Sequence, residues 1–208
     1  MKSIVYKFIL FLSIMFLIIY AKSYFITSPN IKIYDNFLDP KSCKSIINSS
    51  TQFRKSGIST KNGRVENKNR TSSTMAFRDG DNSTIDLLKR KVGKLLNVKS
   101  EYFETIQVTK YDKNQEYKYH HDYFGHTVSN QRRYTALLYL NTVPKENGGS
   151  TTFLYGNSIQ PKCGKLVCWE NTDILGNKHF NTIHSGKPII NDHTKYIVTM
   201  WTRHKPLR

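Results

Sequence analysis

The chain has 208 residues and a formal net charge of +17, from 32 lysine and arginine residues against 15 aspartate and glutamate residues. This length suits one folded core with surrounding helices, and the sequence contains no internal repeat or composition break that would indicate a second domain. The positive charge is spread along the chain, so it indicates a solvated basic surface, or acidic or membrane-proximal partners, rather than a basic tail. Lysine, asparagine, isoleucine and tyrosine are abundant, which is typical of A/T-rich genomes such as those of large viruses and protists.

The first predicted element is an apolar segment, residues 4–21. Its length approaches that of a membrane span, and no clear small-residue cleavage site follows it. The pattern favours an uncleaved signal anchor in residues 1–22, with a cleaved signal peptide and a buried helix as the alternatives. Lys2 and Lys7 would remain in the cytosol and direct residues 23–208 into the lumen, as expected for a single-pass protein of the endoplasmic reticulum.

Two helices are predicted before the main strands. Asp39, followed by proline, is a suitable cap and first turn for a helix that ends near Ser49. Asn82, or the serine after it, can cap a second helix in which apolar residues recur at helical spacing. Residues 52–84 between them are polar and basic, which predicts a long surface loop or a disordered connection.

Several segments in the second half have the patterns of β-strands. Residues 132–141 form a long apolar run, typical of a strand that is buried on both faces. Glycine turns lead into two further strands, in residues 146–153 and 161–169. The last strand begins at Lys195, which can point into a barrel, where a buried ammonium group needs a carboxylate partner.

His120 and Asp122 are the clearest candidates for a functional site. Side chains two positions apart in a strand lie on the same face, so these two would project together while His121 points away. His184, in another segment of β-forming residues, can supply a third ligand, and His193 is its only plausible competitor. Two imidazoles and one carboxylate are the ligand set of non-haem Fe(II) oxygenases, which makes an iron oxygenase the predicted class.

The order and spacing of these motifs resemble those of the prolyl 4-hydroxylase family of 2-oxoglutarate- and Fe(II)-dependent dioxygenases. The resemblance covers residues 31–205. The matching residues lie in segments 35–43, 70–73, 111–124, 132–140, 148–151, 161–164, 184–188 and 195–201. The resemblance also implies that the loop in residues 52–84 covers the peptide groove. It implies an α+β, mainly β fold: a double-stranded β-helix (jelly-roll, cupin-like) core with N-terminal helices at its flank, preceded here by the transmembrane helix.

The same resemblance implies roles for the matching positions. Three side chains are expected to bind Fe(II): His120, Asp122 and His184. Lys195 is expected to pair with the distal carboxylate of 2-oxoglutarate, helped by Tyr111, Thr151 and Tyr139. Three side chains are expected to shape or cover the peptide site: Tyr117, Arg132 and Trp201. Ascorbate is the further expected cofactor, and O2 the co-substrate.

Three positions depart from the pattern of the family. Lys165 replaces an acidic residue, and nothing in the sequence explains this change. Asn114 replaces a glycine, and asparagine tolerates the left-handed backbone that such a turn requires. Arg203 stands where many relatives have a histidine, so the resemblance assigns no role to this position.

The predicted function is the 4-hydroxylation of peptidyl proline in collagen-like or proline-rich chains, which adopt extended polyproline geometry. One alternative is a related dioxygenase that acts on peptidyl lysine or a nucleobase. The charge favours the nucleobase, but the anchor opposes nucleic acid as a partner. A second alternative is an inactive, membrane-tethered binding protein, which the complete ligand set disfavours. No motif indicates an oligomeric state.

The chain has three cysteines, Cys43, Cys163 and Cys168. An odd number leaves at least one thiol unpaired within a monomer. Cys163 and Cys168 are too far apart to form a disulfide if the segment between them is extended, and Cys168 is expected to be buried in its strand.

Overall fold

The computed structural model describes residues 2–27, 31–60, 63–125, 128–173 and 175–207. The helices are α1 (Lys2–Thr27), α2 (Pro40–Ser49) and α3 (Ser83–Leu96). The strands are β1 (Lys32–Tyr34), β2 (Arg54–Lys55), β3 (Gly57–Thr60), β4 (Gly63–Glu66), β5 (Ser73–Phe77), β6 (Ile106–Tyr111), β7 (Tyr117–His120), β8 (Arg132–Tyr139), β9 (Thr151–Phe153), β10 (Ser158–Ile159), β11 (Leu166–Glu170), β12 (His184–Gly186) and β13 (Lys195–Arg203).

The strands form two main antiparallel sheets. The larger sheet has seven strands in the order β1-β11-β8-β13-β6-β5-β2, and the smaller has four in the order β10-β9-β12-β7. A separate hairpin pairs β3 with β4. The fold is therefore mainly β, as predicted, and its antiparallel sheets are consistent with the jelly-roll core of the oxygenases.

β8 shows how the larger sheet is buried on both faces. Leu137 and Tyr139 belong to an apolar cluster that also contains side chains of the smaller sheet, among them Phe153. Ala136 and Leu138 point the other way, into a cluster that contains apolar residues of α2 and α3. Because neighbouring side chains of a strand alternate between the two faces, both sets must be apolar, which confirms the prediction from the uninterrupted apolar run.

The two predicted helices, α2 and α3, and their caps are confirmed. The carboxylate of Asp39 accepts a hydrogen bond from Ser42 N at 2.9 Å. The side chain of Asn82 accepts bonds from the amides of Thr84 and Ile85, at 2.9 and 3.0 Å. Such caps satisfy amide groups that have no partner within the helix, and each contributes about 1 kcal/mol.

The expectation that residues 52–84 form a loop or a disordered connection is wrong. This segment contains β2 to β5, and β5 pairs with β6 in the larger sheet. Three of its buried side chains are hydroxyl groups that bond to one another: Ser56 Oγ lies 2.5 Å from Thr74 Oγ1 and 2.9 Å from Ser72 Oγ. Because these paired side chains are polar, the segment lacks the apolar alternation that identifies a half-buried strand.

α1 contains the apolar N-terminal segment and ends at Thr27, beyond the predicted boundary at residue 22. All side chains from residue 5 to residue 19 are exposed, so the alternative of a buried helix is wrong. Within the described ranges, no helix combines the length and the sustained hydropathy required to cross a membrane. The anchor stays a prediction.

The three thiols are free. Cys168 is buried in β11, as predicted, and burial raises the pKa of its thiol to about 12. Cys43 is also fully buried, and burial together with the neighbouring Cys163 raises its pKa to about 12. No sequence pattern indicates that the thiols of Cys43 and Cys163 are neighbours.

Candidate active site

Three potential metal ligands converge where β7 meets β12. His120 ends β7, His184 begins β12, and the two residues are register partners. Asp122 Oδ1 lies 3.8 Å from His120 Nε2, and Asp122 Oδ2 lies 3.9 Å from His184 Nε2. One donor atom from each residue lies within 4.8 Å of the other two, so the three side chains can hold one metal ion. The predicted convergence of these residues is confirmed.

The strand that was expected to carry both His120 and Asp122 is shorter than predicted. β7 ends at His120, and the chain bends at Asp122. The bend, and not strand alternation, brings the carboxylate to the imidazoles. His193, the competitor of His184, lies outside the group, with its Nε2 at 3.3 Å from Asn147 Nδ2.

Backbone carbonyl groups set the orientation of both imidazoles. His120 Nδ1 is 2.7 Å from the carbonyl oxygen of Lys118, and His184 Nδ1 is 2.8 Å from that of Thr182. A carbonyl oxygen only accepts hydrogen bonds, so each Nδ1 carries the hydrogen, and each Nε2 presents its lone pair to the centre of the site. This is how ligating histidines are usually fixed in metal sites.

Asp122 is held by two donors from the larger sheet. Thr135 Oγ1 donates to Asp122 Oδ2 at 2.7 Å, and Trp201 Nε1 donates to the same oxygen at 2.9 Å. Asn171 Nδ2 donates to Thr135 Oγ1 at 2.8 Å, and Trp169 Nε1 donates to Asn171 Oδ1 at 2.9 Å. A continuous series of buried hydrogen bonds therefore fixes the carboxylate.

The charge states of these groups suit metal binding. Burial lowers the pKa of His120 to about 3, so its imidazole is neutral at physiological pH. Burial alone would raise the pKa of Asp122, but His184, His120 and Arg132 outweigh it and hold that pKa well below its usual range. Both side chains are thus in the form that ligates a metal, without the loss of a proton.

Arg132 forms a two-bond ion pair with Glu104. Its Nε and Nη2 donate to the two oxygens of Glu104 at 2.8 and 2.7 Å, and Arg203 Nε donates to Glu104 Oε1 at 2.5 Å. The Arg132 guanidinium lies 3.7 Å from the Trp201 ring centroid and 3.8 Å from Asp122 Oδ1. Arg132 lines the cleft as expected. Its contacts also orient Trp201 and Asp122. This second role was not predicted from the sequence.

Lys195 begins β13, and only 1% of its surface is exposed. Its Nζ donates to the carbonyl oxygen of Gly149 at 2.8 Å and lies 4.3 Å from the centroid of the Tyr111 ring. Burial lowers the pKa of Lys195 to about 7. In the described part of the chain no carboxylate lies within 4.0 Å of this ammonium group, so a bound ligand can supply the carboxylate partner that a buried ammonium needs.

The cavity that joins Lys195 to the metal ligands is lined by Tyr111 and Thr151, the expected neighbours of the co-substrate. It is also lined by Tyr117, which was expected at the peptide site. Gly186 leaves the space beside the ammonium open: a Cβ at this position would lie 3.5 Å from Lys195 Nζ and 3.7 Å from Tyr111 Oη. Tyr117 stacks on His120 with ring centroids 3.4 Å apart.

Tyr139, which was expected to help bind 2-oxoglutarate, lies behind the wall of the cavity. Its side chain is fully buried between the sheets and does not line the cavity. Its hydroxyl donates to the carbonyl oxygen of Ile159 at 3.3 Å and also contacts Thr151. Tyr139 therefore supports Thr151 from behind, and its contact with the co-substrate stays a prediction.

A cleft of about 500 Å³ opens on the other side of the metal ligands. Its aromatic lining residues are Tyr117, Tyr119, Tyr123, Phe124 and Trp201. Gly57 and Ile58, from the β3–β4 hairpin, border it. The hairpin lies in the segment that was expected to be a loop over the groove, so that segment does reach the cleft, although as strands.

The residues fit Fe(II) and 2-oxoglutarate together. Two imidazoles and a carboxylate on one side of a metal ion leave open positions, which is the pattern of non-haem Fe(II) oxygenases. 2-Oxoglutarate is a dicarboxylate, and its distal carboxylate would give the ammonium of Lys195 a partner in the space that Gly186 leaves open. The cavity thus has a place for each end of the co-substrate.

Sequence comparison agrees with this chemistry. The profile of the 2OG-Fe(II) oxygenase superfamily matches residues 106–203, which contain both ends of the site. Prolyl 4-hydroxylase 1 of Arabidopsis thaliana is 30% identical over 202 residues, which cover 86% of this chain and 70% of that protein. Probable prolyl 4-hydroxylase 10 of the same plant is 29% identical over 202 residues, which cover 84% of this chain and 69% of that protein.

Solved structures give the same result. A viral collagen prolyl hydroxylase from Paramecium bursaria Chlorella virus-1, in complex with 2-oxoglutarate, matches with a TM-score of 0.69 and 26% identity, over 83% of this chain and 95% of that chain. A Trichoplax adhaerens prolyl hydroxylase bound to a hypoxia-inducible-factor peptide matches with a TM-score of 0.65 and 18% identity, over 87% of this chain and 86% of that chain. This second similarity is one of fold.

Proposed function

This chain belongs to the prolyl 4-hydroxylase family, and from this membership we propose that it hydroxylates peptidyl proline at C4 in collagen-like or proline-rich chains. The reaction consumes 2-oxoglutarate and O2 and releases succinate and CO2. The observation that carries the proposal is the site itself. Three metal ligands and a buried ammonium group share one cavity, and an aromatic cleft opens beside the ligands.

Within this site, the residues hold and orient the reactants. When bound, Fe(II) and 2-oxoglutarate supply the O2-dependent oxidation that converts a C–H bond of the substrate into C–OH. His120, Asp122 and His184 would hold the metal, and Thr135 with Trp201 would keep the Asp122 carboxylate in place. Fixed ligands and a preorganised pocket are the contribution of the protein to such a reaction.

At the other end of the cavity, Lys195 would bind the distal carboxylate of the co-substrate, with Tyr111 and Thr151 beside it. Burial keeps the Tyr111 hydroxyl protonated by raising its pKa, so Tyr111 can donate a hydrogen bond to a carboxylate. Phe153 and Trp169 pack against His184, with ring centroids 5.7 and 4.8 Å away. This apolar wall excludes water from the region where the oxidation would occur.

The aromatic cleft supports an extended proline-rich peptide as the substrate. Proline rings pack well on aromatic side chains, and polyproline segments lose little conformational entropy on binding. A peptidyl lysine is a poorer candidate. Asp122 is the only carboxylate among the described residues that line the cleft, and it serves as a metal ligand, so a substrate ammonium group would lack a partner.

We also propose ascorbate as the reductant that keeps the iron ferrous, and a single catalytic domain in residues 23–208 tethered by residues 1–22. A single-pass anchor with the catalytic domain in the lumen of the endoplasmic reticulum would fit the basic residues before the apolar segment. Carbonate extraction of membranes tests the anchor. The full chain should stay in the membrane fraction, and a chain without residues 1–22 should not.

The activity is tested with the full chain, Fe(II), 2-oxoglutarate and ascorbate, using collagen-like and proline-rich peptides. We expect succinate release and one added oxygen atom at C4 of a proline, located by fragment-ion mass spectrometry and amino-acid analysis. Matched lysine-containing peptides and methylated DNA serve as controls. Turnover on these controls, without hydroxyproline in any peptide, would contradict the proposal.

A further inference from the structure

Three cations beside the cleft have no carboxylate partner among the described residues. Arg70 lines the cleft, Lys187 lies over the cleft residue Tyr119, and Lys178 lies near the cleft residue Tyr123. We propose that they select peptides with acidic side chains next to the target proline. This inference rests on the proposed function, because it specifies which proline-rich peptides that same cleft accepts.

Arg70 lies at the junction of the cleft and the cavity of the metal ligands. Its guanidinium is 5.0 Å from the centroid of the Tyr117 ring. Its two hydrogen bonds, to the carbonyl oxygen of Gly57 and to Thr74 Oγ1, are both long at 3.4 Å, and its Nε is buried without a partner. The strongest hydrogen bonds of a guanidinium are those to a carboxylate, and this one makes none within the described ranges.

Lys187 and Lys178 lie on aromatic rings rather than against acidic groups. Lys187 Nζ is 4.5 Å from the Tyr119 ring centroid, and Lys178 Nζ is 4.6 Å from that of Phe180 and 5.9 Å from that of Tyr123. Both lysines are half-buried. Contact with a ring and partial burial hold an ammonium group in place without neutralising its charge, so each can still attract a carboxylate of a ligand.

The contrast with Arg132 and Arg203 shows how these three cations differ from others near the cleft. Both arginines bond to Glu104, and Arg132 also lies 3.8 Å from Asp122 Oδ1, so acidic side chains of the protein compensate their charge. The other ion pairs in the described part of the chain involve none of the three cations. Several cations in a concave site attract negatively charged ligands and raise the rate at which these ligands bind.

The test compares three peptides that share one proline-rich core and differ only in the flanking residues, which are glutamate, glutamine or lysine. We expect the full-length enzyme to prefer the glutamate peptide by about tenfold in kcat/KM over the glutamine peptide, mainly through KM. The preference should weaken as ionic strength rises. Direct binding of labelled peptides, measured by fluorescence anisotropy without 2-oxoglutarate, should give the same order.

Two charge-reversed variants separate local recognition from net charge. Lys178→Glu/Lys187→Glu should lose the preference for the glutamate peptide or favour the lysine peptide. Lys41→Glu/Lys44→Glu makes the same change in net charge on exposed positions of α2, which packs on the opposite face of the larger sheet, and should keep the preference.

Several outcomes would overturn the inference. These are equal KM and equal binding for the three peptides, equal loss of preference in both variants, or an altered affinity for the co-substrate instead of the peptide. Hydroxylation of all three peptides with equal KM would refute the acidic preference and leave the proposed function standing. If no peptide is hydroxylated, the proposed function fails, and the binding measurement still decides whether acidic peptides are preferred.

Discussion

The two ends of the active-site cavity are prepared for their ligands in different ways. At the metal end, each of the three ligands already has hydrogen bonds that fix its orientation, and Asp122 alone accepts two. At the other end, Lys195 is buried with one backbone carbonyl as its hydrogen-bond partner. The metal end is therefore organised before any ligand arrives, whereas at the lysine end burial disfavours the ammonium form until a bound carboxylate compensates its charge.

The largest effect is expected at the metal end. His184→Ala removes one of three ligands, so we expect iron affinity and succinate formation to fall by more than about 100-fold, since even the loss of a group that orients a ligand costs about 10–100-fold. Iron content after dialysis and single-turnover succinate yield measure this. His193→Ala is the matched control, because its side chain contacts Asn147 outside the site. Full iron occupancy in His184→Ala would refute the ligand assignment.

At the lysine end, function and stability should change in opposite directions. Lys195→Met keeps much of the side-chain volume but removes the buried charge. We expect the affinity for 2-oxoglutarate to fall by about 100-fold, because a buried carboxylate would lose its charged partner. Without ligand, the protein should become more stable by about 1 kcal/mol, since no desolvated cation remains.

Calorimetric titration with 2-oxoglutarate and urea unfolding of the same samples measure the two effects. Lys165→Met, at a half-buried lysine that pairs with Asp35, controls for the general consequences of removing one lysine. A destabilised Lys195→Met protein that still binds 2-oxoglutarate tightly would mean that this ammonium group serves the fold and not the co-substrate.

The series of hydrogen bonds behind Asp122 should have a smaller effect, confined to the metal end. Thr135→Val keeps the shape of the side chain but removes a donor to Asp122 and the acceptor for Asn171. We expect iron affinity to fall by about tenfold, with little change in the affinity for 2-oxoglutarate analogues that do not chelate the metal. Thr109→Val is the control, because Thr109 is equally buried and bonds to Thr74 instead. Equal losses in both variants would point to a general packing effect.

Part of the fold and part of the site could be predicted from the sequence. The caps of α2 and α3 and the buried strand β8 were predictable, because their signals lie within a few residues of one another. The metal ligands were identified from residue type and family resemblance, although the strand was expected to extend through Asp122 and ends at His120.

The supporting residues were not predictable for a physical reason. Asn171 bonds to a residue 36 positions away, and Arg203 reaches a carboxylate 99 positions away. No local pattern marks such pairs. The prediction for residues 52–84 failed for a different reason. Their buried hydroxyl groups bond to one another, so strands of the sheet have the composition that is typical of a loop.

The smallest expected effect concerns protons at the lysine end. Burial lowers the pKa of Lys195 to about 7 from 10.5, while Tyr111, the titratable side chain against it, has a raised pKa. Between the folded and unfolded pKa values of this lysine, the unfolded chain holds one more proton on it than the folded chain does. Its contribution to stability without ligand therefore becomes more favourable as pH rises from about 7 to 10.5, and is least favourable below that window.

A bound dicarboxylate should raise the pKa of Lys195 again, because it favours the ammonium form. In the middle of the window, binding of 2-oxoglutarate should therefore take up as much as one proton. Titration calorimetry in two buffers of different ionisation enthalpy measures this uptake as a difference in the apparent binding enthalpy. Lys195→Met, titrated at higher ligand concentration, should show no such difference. Identical enthalpies for the unmodified protein in both buffers would mean that the lysine is already charged before the co-substrate binds, and the proposed contrast between the two ends of the cavity would then be wrong.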